Sequence, residues 1–179
     1  MKQRRDWSSG LPGSTAKKVS IQRFDREPLH GFVNPLTYLQ AEGVELLSPS
    51  GELTLVPFST VKVVFFVRDF DLSGAGPARK VFTTRPKLAG LWVRIRLRDG
   101  DLYDGILPND LLQCHPQGFT LTPPDAAGNH QRFFVPRAAI SAIEVLGVVS
   151  SPLTRKKPKQ PPAEQIGLFD SPEPPDDSG

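Results

Sequence analysis

Short apolar segments separated by turn residues run along the chain between residues 18 and 148. The segments are rich in β-branched and aromatic residues, and glycine, proline, asparagine or aspartate stands between them. In residues 92–97 the alternation is strict, because single arginines separate Val93, Ile95 and Leu97, as on a strand with one buried face. No long stretch has the periodicity of an amphipathic helix. The pattern predicts an all-β protein, with strands at 19–24, 29–33, 44–48, 53–58, 61–67, 92–97, 102–107, 119–122, 132–136 and 140–146.

The second half of this pattern repeats the first. A shift of 74 residues places Gly31 on Gly105, and a shift of 79 residues places Val64 on Ile143. The small difference between the shifts is explained by insertions in turns, of which residues 124–128 are the clearest. The shared order of strands and glycines predicts an internal duplication of a five-stranded unit.

Three features of the second copy resemble an Sm-like domain of the LSm and Hfq kind. Asp99-Gly100 follows the first strand, Gly105 lies inside the second, and residues 139–143 read Ala-Ile-Ser-Ala-Ile. An Asp-Gly pair favours a tight hairpin, and a glycine within a strand permits a sharp bend. The resemblance implies two tandem Sm-like five-stranded small barrels. Residues 62–71 are also similar to the closing motif of an uncharacterised bacterial domain family.

The resemblance does not carry the RNA site of that family with it. Hfq-type proteins bind RNA with a Tyr-Lys-His segment just before Ala-Ile-Ser, and this chain has Val135-Pro136-Arg137 there. Only Arg137 keeps a cationic side chain. A shared fold does not imply a shared function, so the ligand must be argued from other residues.

Composition divides the 179-residue chain into four parts. We expect a disordered basic N-terminus at 1–17, a first module at 18–78, a basic linker with the second module at 79–150, and a disordered proline-rich tail at 151–179. No apolar run approaches the roughly 20 residues that span a bilayer, and no apolar stretch follows the basic start. A single cysteine excludes a disulfide framework. We therefore expect a soluble cytoplasmic protein with no membrane partner.

The charge of the chain is concentrated in one block. The formal net charge is +3, yet residues 79–98 hold seven basic and no acidic side chains, between two acidic flanks. Such a block attracts phosphates, so RNA or DNA is one expected partner. The alternative is a solvated strand face that balances its acidic neighbours. The seven candidate residues are Arg79, Lys80, Arg85, Lys87, Arg94, Arg96 and Arg98.

The proline-rich tail contains one isolated apolar cluster. It resembles the bacterial sliding-clamp-binding pentapeptide, which reads Gln-aliphatic-x-Leu-Phe. Disordered segments that keep such a cluster often dock it on a partner protein. The sequence therefore offers a second hypothesis, in which the protein is recruited to a partner through Gln165, Ile166, Leu168 and Phe169.

A third hypothesis is cyclic-di-GMP sensing. Asp71, Ser73 and Gly76 match the D-x-S-x-x-G half of a PilZ site, and residues 94–98 match its R-x-x-x-R half. Arginine forks suit the guanine faces and phosphates of this ligand. The two halves of the motif stand in reversed order, and a Gly-Ser linker after a strand with a charged exposed face is the favoured explanation of these residues.

No residue pattern indicates catalysis. His30, His115 and His130 lack the neighbouring cysteine or carboxylate spacing of a triad or a metal site. We expect a non-enzymatic binding or regulatory adaptor without a cofactor or metal. Five-stranded units leave strand edges open, so the two copies are also expected to pair with each other or to drive homo-oligomer formation.

Overall fold

The computed structural model describes residues 15–70, 79–110, 112 and 114–149. It confirms the all-β prediction, because each of the ten predicted segments forms a strand and no α-helix occurs among the described residues, which include a 3₁₀ turn at Arg137–Ala139. The strands are β1 Lys17–Arg23, β2 Leu29–Val33, β3 Gly43–Leu47, β4 Leu53–Pro57, β5 Val61–Val67, β6 Gly90–Leu97, β7 Leu102–Leu107, β8 Gly118–Leu121, β9 His130–Pro136 and β10 Ile140–Val149.

The strands form two antiparallel sheets. Seven strands follow the order β4-β3-β2-β1-β5-β9-β8, and three follow the order β10-β6-β7. The larger sheet crosses the boundary between the two halves of the sequence, because β9 pairs with β5. The backbones of β7 and of the residue that follows β8 are joined by one isolated bridge, between Ile106 and Thr122. Separate closed barrels, which the sequence predicted, are therefore not found among the described residues.

The strand pairings of the two halves coincide under the shifts read from the sequence. In each half the first strand pairs with the second and with the fifth, and the third pairs with the fourth. The agreement extends to single residues, so it does not depend on strand order alone. Equivalent pairs are Val19↔Gly31 and Val93↔Gly105, Ile21↔Val64 and Ile95↔Ile143, Gly43↔Pro57 and Gly118↔Pro136, and Phe32↔Leu47 and Ile106↔Thr122.

Two hydrophobic cores lie on opposite faces of β5. Val64 and Phe66 belong to the core of the first half, which also receives Phe134 from β9. Val63, Phe65 and Val67 belong to the core formed with β6, β7, β8 and β9. Each fully buried side chain of this kind contributes about 1.5–3 kcal/mol relative to exposure. The two halves therefore share one central strand and are packed into a single body.

The turn at Gly100 is as the sequence predicted, and Gly105 allows a close approach within the core. Gly100 adopts a φ of 90° in the turn between β6 and β7, a conformation that L side chains rarely adopt. Gly105 lies in β7 against the core, where an added Cβ would stand 2.8 Å from Leu121 Cδ2 and 3.1 Å from Phe133 Cζ. The first permits the tight hairpin, and the second permits β7 to approach β8 and β9.

The ends of the chain lie largely outside the described residues. Lys17 already belongs to β1, so the first strand begins one residue before the predicted module boundary. The predicted disorder of the N-terminus and of the tail concerns residues that are not described here. Within the described ranges, no helix is long and apolar enough to cross a membrane.

Candidate nucleic-acid interface

Residues 79–85 run over the three-stranded sheet. The backbone N–H of Asp104 on β7 donates to the carbonyl of Lys80 at 2.7 Å, and the Phe82 ring packs edge-on against Trp92 of β6 at 6.0 Å. Further along, Arg85 Nη2 donates to the Val148 carbonyl on β10 at 3.3 Å. The segment 79–85 therefore passes from β7 over β6 towards β10. It covers the side of β6 that carries Trp92, Arg94 and Arg96, which we call the outer face.

An ion pair stands at the centre of the outer face. The Asp104 carboxylate is 0% exposed and accepts from Arg94 Nε at 2.7 Å and from Arg94 Nη2 at 3.0 Å. It also accepts from the backbone N–H of Phe82 at 3.1 Å. The hydrogen bond to Asp104 raises the pKa of Arg94, although burial opposes this, and Glu144 across the β6–β10 pair adds to it. Arg94 is therefore neutralised by the fold itself.

A second charged cluster joins the β6–β7 turn to the first half. Asp101 accepts hydrogen bonds from Lys62 and from Lys80, both at 2.8 Å, and Asp99 accepts one from Lys62. These two donors lower the pKa of Asp101 against the effect of burial. The bond to Asp101 is in turn the main cause of the raised pKa of Lys80. Lys62 comes from β5, so this cluster ties the two halves together.

Arg98 also faces the first half and lies apart from the outer face. Its Nη2 donates to the Ser59 carbonyl at 2.7 Å, and its guanidinium lies 3.8 Å from the centre of the Phe24 ring. The alternation of residues 92–98 predicts that Arg98 shares a strand face with Arg94 and Arg96. The side chain turns away because the strand ends at Leu97 and the following turn is held against Lys62 of β5.

The basic block thus divides into two groups. Lys80, Arg94 and Arg98 are engaged in contacts that hold the fold. The other four are exposed and form no ion pair within the described part of the chain, and Arg85 makes only the bond to a backbone carbonyl. These four cations available to an anionic ligand are Arg79, Arg85, Lys87 and Arg96.

A pocket of about 180 Å³ opens between the two halves at the start of the same segment. Aromatic rings form much of its wall, with Phe65 and His130 in contact at a centroid distance of 4.6 Å and Tyr103 6.2 Å from Phe65. Arg79 and Lys80 stand at the pocket and also belong to the segment over the outer face. The full lining is Gln22, Phe65, Arg79, Lys80, Tyr103, Asp104, Pro123, Pro124, Asp125, His130 and Phe133.

The ionisable groups of the pocket favour neutral aromatic walls. Burial lowers the pKa of His130, while the Asp125 carboxylate partly opposes this. Burial also raises the pKa of Tyr103, against the nearby Lys80 and Lys62 ammonium groups. Both rings are therefore uncharged at neutral pH. An apolar cavity with neutral rings, two cations at its edge and the side-chain amide of Gln22 suits a flat heteroaromatic group that carries a phosphate.

Sequence reasoning missed this pocket, and no local signal could have revealed it. Gln22 and Phe65 come from the first half, whereas Tyr103, His130 and Phe133 come from the second. Only the pairing of β5 with β9 brings the two sets together. The basic block could be recognised in the sequence because its residues are close together. The pairing of Lys80 and Arg94 with acidic residues could not, because it depends on the fold.

Most residues of the other two binding hypotheses, recruitment through the tail and cyclic-di-GMP sensing, lie outside the described residues. Gln165, Ile166, Leu168 and Phe169 lie outside the described residues. Asp71, Ser73 and Gly76 of the PilZ-like motif lie outside them as well. Arg94 is held by Asp104, and Arg98 is held by Ser59 and Phe24, so the arginines of that motif are already occupied. In the described ranges, no group of three or more histidines, cysteines or acidic residues is arranged to hold a metal ion.

Comparison with known proteins gives a family without a known activity. No curated protein and no solved structure matches the chain. A family model described as a family of unknown function, DUF6982, matches residues 15–147, a range that runs from just before β1 into β10 and contains both halves. This range contains the pocket, the outer face and the four available cations. The chain therefore belongs to the DUF6982 family of unknown function.

Proposed function

We propose that the protein is a non-enzymatic binding module for single-stranded nucleic acid, with phosphates on the outer face and one base in the pocket between the halves. The observation that carries this proposal is that Arg79 and Lys80 stand at the pocket while their segment continues over the basic outer face. A strand could therefore follow the cations of the segment and turn a single base into the aromatic cavity.

The outer face supplies the electrostatic part of the interaction. Arg79, Arg85, Lys87 and Arg96 are exposed and have no carboxylate partner in the described residues. Cations of this kind bind phosphates by releasing condensed counterions, which makes the affinity strongly salt-dependent. Lys80 and Arg94 add less, because Asp101 and Asp104 already offset their charge. The expected number of phosphate contacts is therefore closer to four than to seven.

The pocket supplies the contact with a base. Proteins recognise single-stranded RNA mostly by stacking unpaired bases on aromatic side chains or guanidinium planes. The stacking of one base on an aromatic side chain contributes about 1–3 kcal/mol to binding. His130 is half-buried beside Phe65, and Gln22 at the pocket offers its side-chain amide to the edge of a base. Burial of neutral rings favours a neutral base over a free anion at this position. This division of roles separates affinity on the outer face from selectivity in the pocket.

We also propose that the two halves are a tandem pair of Sm-like units joined through a shared sheet. The coinciding registers, the turn at Gly100 and the close approach at Gly105 support this view. The proposal concerns ancestry and fold, and the RNA site of the Hfq-type family does not enter it. The expected binding site lies on other residues, namely the outer face and the pocket between the halves.

The test is a fluorescence anisotropy titration of the full chain against labelled single-stranded RNA and DNA over a series of salt concentrations. Each phosphate contact to a single strand contributes about 0.7 to the slope of log affinity against log salt. The triple variant Arg85→Ser, Lys87→Ser, Arg96→Ser should therefore flatten that slope by about 2. His130→Ala should weaken binding while leaving the slope unchanged, because it removes a pocket wall and no phosphate contact.

The matched control removes three other exposed cations, Lys17, Arg26 and Arg68, each replaced by serine. This variant has the same net charge as the triple variant but keeps the outer face intact, so its salt slope should stay close to that of the unmodified protein. Equal losses in the two triple variants would mean that only net charge matters. Absence of binding to every single strand at low salt would reject the proposal.

A further inference from the structure

A groove of about 470 Å³ lies between β7 and β8 and shares no lining residue with the pocket between the halves. Its apolar floor includes Ile106 of β7 and Leu121 of β8, which are both buried in the free chain. Its rim includes the exposed Pro108 and Leu88, whose side chain is 49% exposed. An exposed leucine at the rim of an apolar floor is a surface that apolar side chains of another segment can cover.

One cation stands at this groove. Arg132 of β9 lines it, is exposed, and has its guanidinium 5.7 Å from the centre of the Phe66 ring. Within the described ranges Arg132 forms no ion pair, and no acidic residue is among those that line the groove. The groove therefore suits an apolar segment that carries a carboxylate beside its apolar side chains.

The last described strand ends close to the groove. Val148 of β10 pairs with Leu91 of β6, and Leu91 pairs with Leu107 of β7, so the three residues form one rung of the sheet. Neighbouring strands lie about 4.8 Å apart, which places Val148 about 10 Å from Leu107. Leu107 stands in sequence between Ile106 and Pro108, which line the groove. The chain therefore leaves β10 within a short distance of this surface.

The residues that follow β10 contain a segment with the required chemistry. The chain continues from 150 to 179, and three of the four large apolar side chains in this stretch fall within residues 166–169. Acidic residues, Glu164 and Asp170, stand on both sides of this apolar cluster. The cluster begins 17 residues after Val149, which an extended chain spans with about 55 Å of reach. Reach and charge both match the groove.

We propose that the tail segment 165–169 docks in the groove of its own chain, with Leu168 and Phe169 over the apolar floor and Asp170 beside Arg132. The tether keeps the segment at an effective concentration in the millimolar range, so a weak contact suffices to fill the groove. The docked segment is withheld from any partner protein until it leaves the groove. None of the residues that carry the proposed nucleic-acid site takes part, so the two proposals stand or fall separately.

The experiment uses Cys114, which is the only cysteine of the chain and lines the groove. Its rate of alkylation by iodoacetamide, an uncharged reagent, is measured by mass spectrometry on the full chain. The double variant Leu168→Ser, Phe169→Ser should react about 3–10-fold faster, because a millimolar effective concentration against a dissociation constant of about 0.1–0.5 mM leaves the groove mostly filled.

The matched control is Leu153→Ser, which removes the remaining large apolar side chain of the tail and should react at the rate of the unmodified protein. Circular dichroism checks that each variant keeps its strands. Equal alkylation rates in the unmodified protein and the double variant would overturn the proposal. An equal acceleration in Leu153→Ser would do the same, because the protection would then not belong to the cluster.

Disulfide trapping tests which chain supplies the occupant. With oxidised glutathione as the oxidant, Gly167→Cys should form a disulfide with Cys114 within one molecule, seen as a monomer on a non-reducing gel with no free thiol. The same substitution in the Leu168→Ser, Phe169→Ser background should form this bond several-fold more slowly. Equal rates in the two backgrounds, or a disulfide that joins two chains instead, would reject docking of the tail in its own groove.

Discussion

Strands β5 and β10 occupy the same position in the two halves, yet one is the centre of the protein and the other is its edge. β5 pairs with β1 and β9, and both of its faces are buried in the two cores. Among the described strands β10 pairs only with β6, and most of its side chains are exposed. Their registers to the neighbouring first strand are the same, with Ile21↔Val64 matched by Ile95↔Ile143.

Both strands carry apolar side chains on the face that meets their own half. The difference in their burial therefore follows from the number of neighbouring strands, which is two for β5 and one for β10. The second face distinguishes them. β5 has Val63 and Phe65 there, and β10 has Ala142 and Glu144. The charged Glu144, where β5 has Phe65, suits a strand that is exposed at this position, so the sequence of β10 is adapted to a more open position.

The largest expected effect comes from equivalent substitutions in the two strands. Phe66→Ala removes a ring buried in the first core and should lower the free energy of unfolding by about 3–5 kcal/mol. Val145→Ala, at the equivalent position in β10, should change that free energy by about 0.5 kcal/mol or less in dilute solution. Urea unfolding of both variants at low concentration measures the difference. Similar losses would mean that β10 is buried in the free chain and would break the comparison.

A slightly smaller effect is expected beside β10, where β6 carries Arg94 at the position that Ser20 holds in β1. Arg94→Met leaves the Asp104 carboxylate buried without its cation, which should cost about 3 kcal/mol. The double variant Arg94→Met, Asp104→Leu should recover much of that loss, because it removes the unpaired charge. Ser20→Ala is the matched control and should cost less than about 1 kcal/mol. An additive double variant in thermal unfolding would indicate that the two groups do not interact.

The smallest expected effect is a pH dependence of the free energy of unfolding, which arises from a histidine in β9 that has no counterpart in β4. His130 lies at the start of β9 beside β5, whereas the equivalent residue before β4 is the exposed Gly51. Because burial lowers the pKa of His130, the unfolded chain takes up the proton first as the pH falls below about 6.5. The free energy of unfolding should therefore decrease between about pH 7 and pH 5.5, by less than about 1 kcal/mol.

His130→Gln should remove this decrease, and His115→Gln, at an exposed histidine, should retain it. Thermal unfolding of the three proteins in a pH series measures the effect. If the free energy of unfolding of His130→Gln still decreases over this pH range, other groups take up the proton. The pH dependence would then not distinguish β9 from β4.

The sequence by itself determined the ten strands, the turn at Gly100 and the repeat of one half in the other. These features depend on residues that are close along the chain, such as the alternation around Val93, or on spacing that a duplication preserves. The local charge density of residues 79–98 was equally visible, since its members are neighbours in sequence.

Only the tertiary structure decided how the two halves combine and which basic residues remain available. The pairing of β5 with β9 joins the sheets and creates the pocket around Phe65 and His130, and no local pattern encodes a contact between residues so far apart. Likewise, Arg94 is neutralised by Asp104 because β7 returns beside β6, whereas Arg96 on the same face has no acid opposite it. Strand formation follows local preferences, but burial, charge pairing and open edges depend on which strands become neighbours.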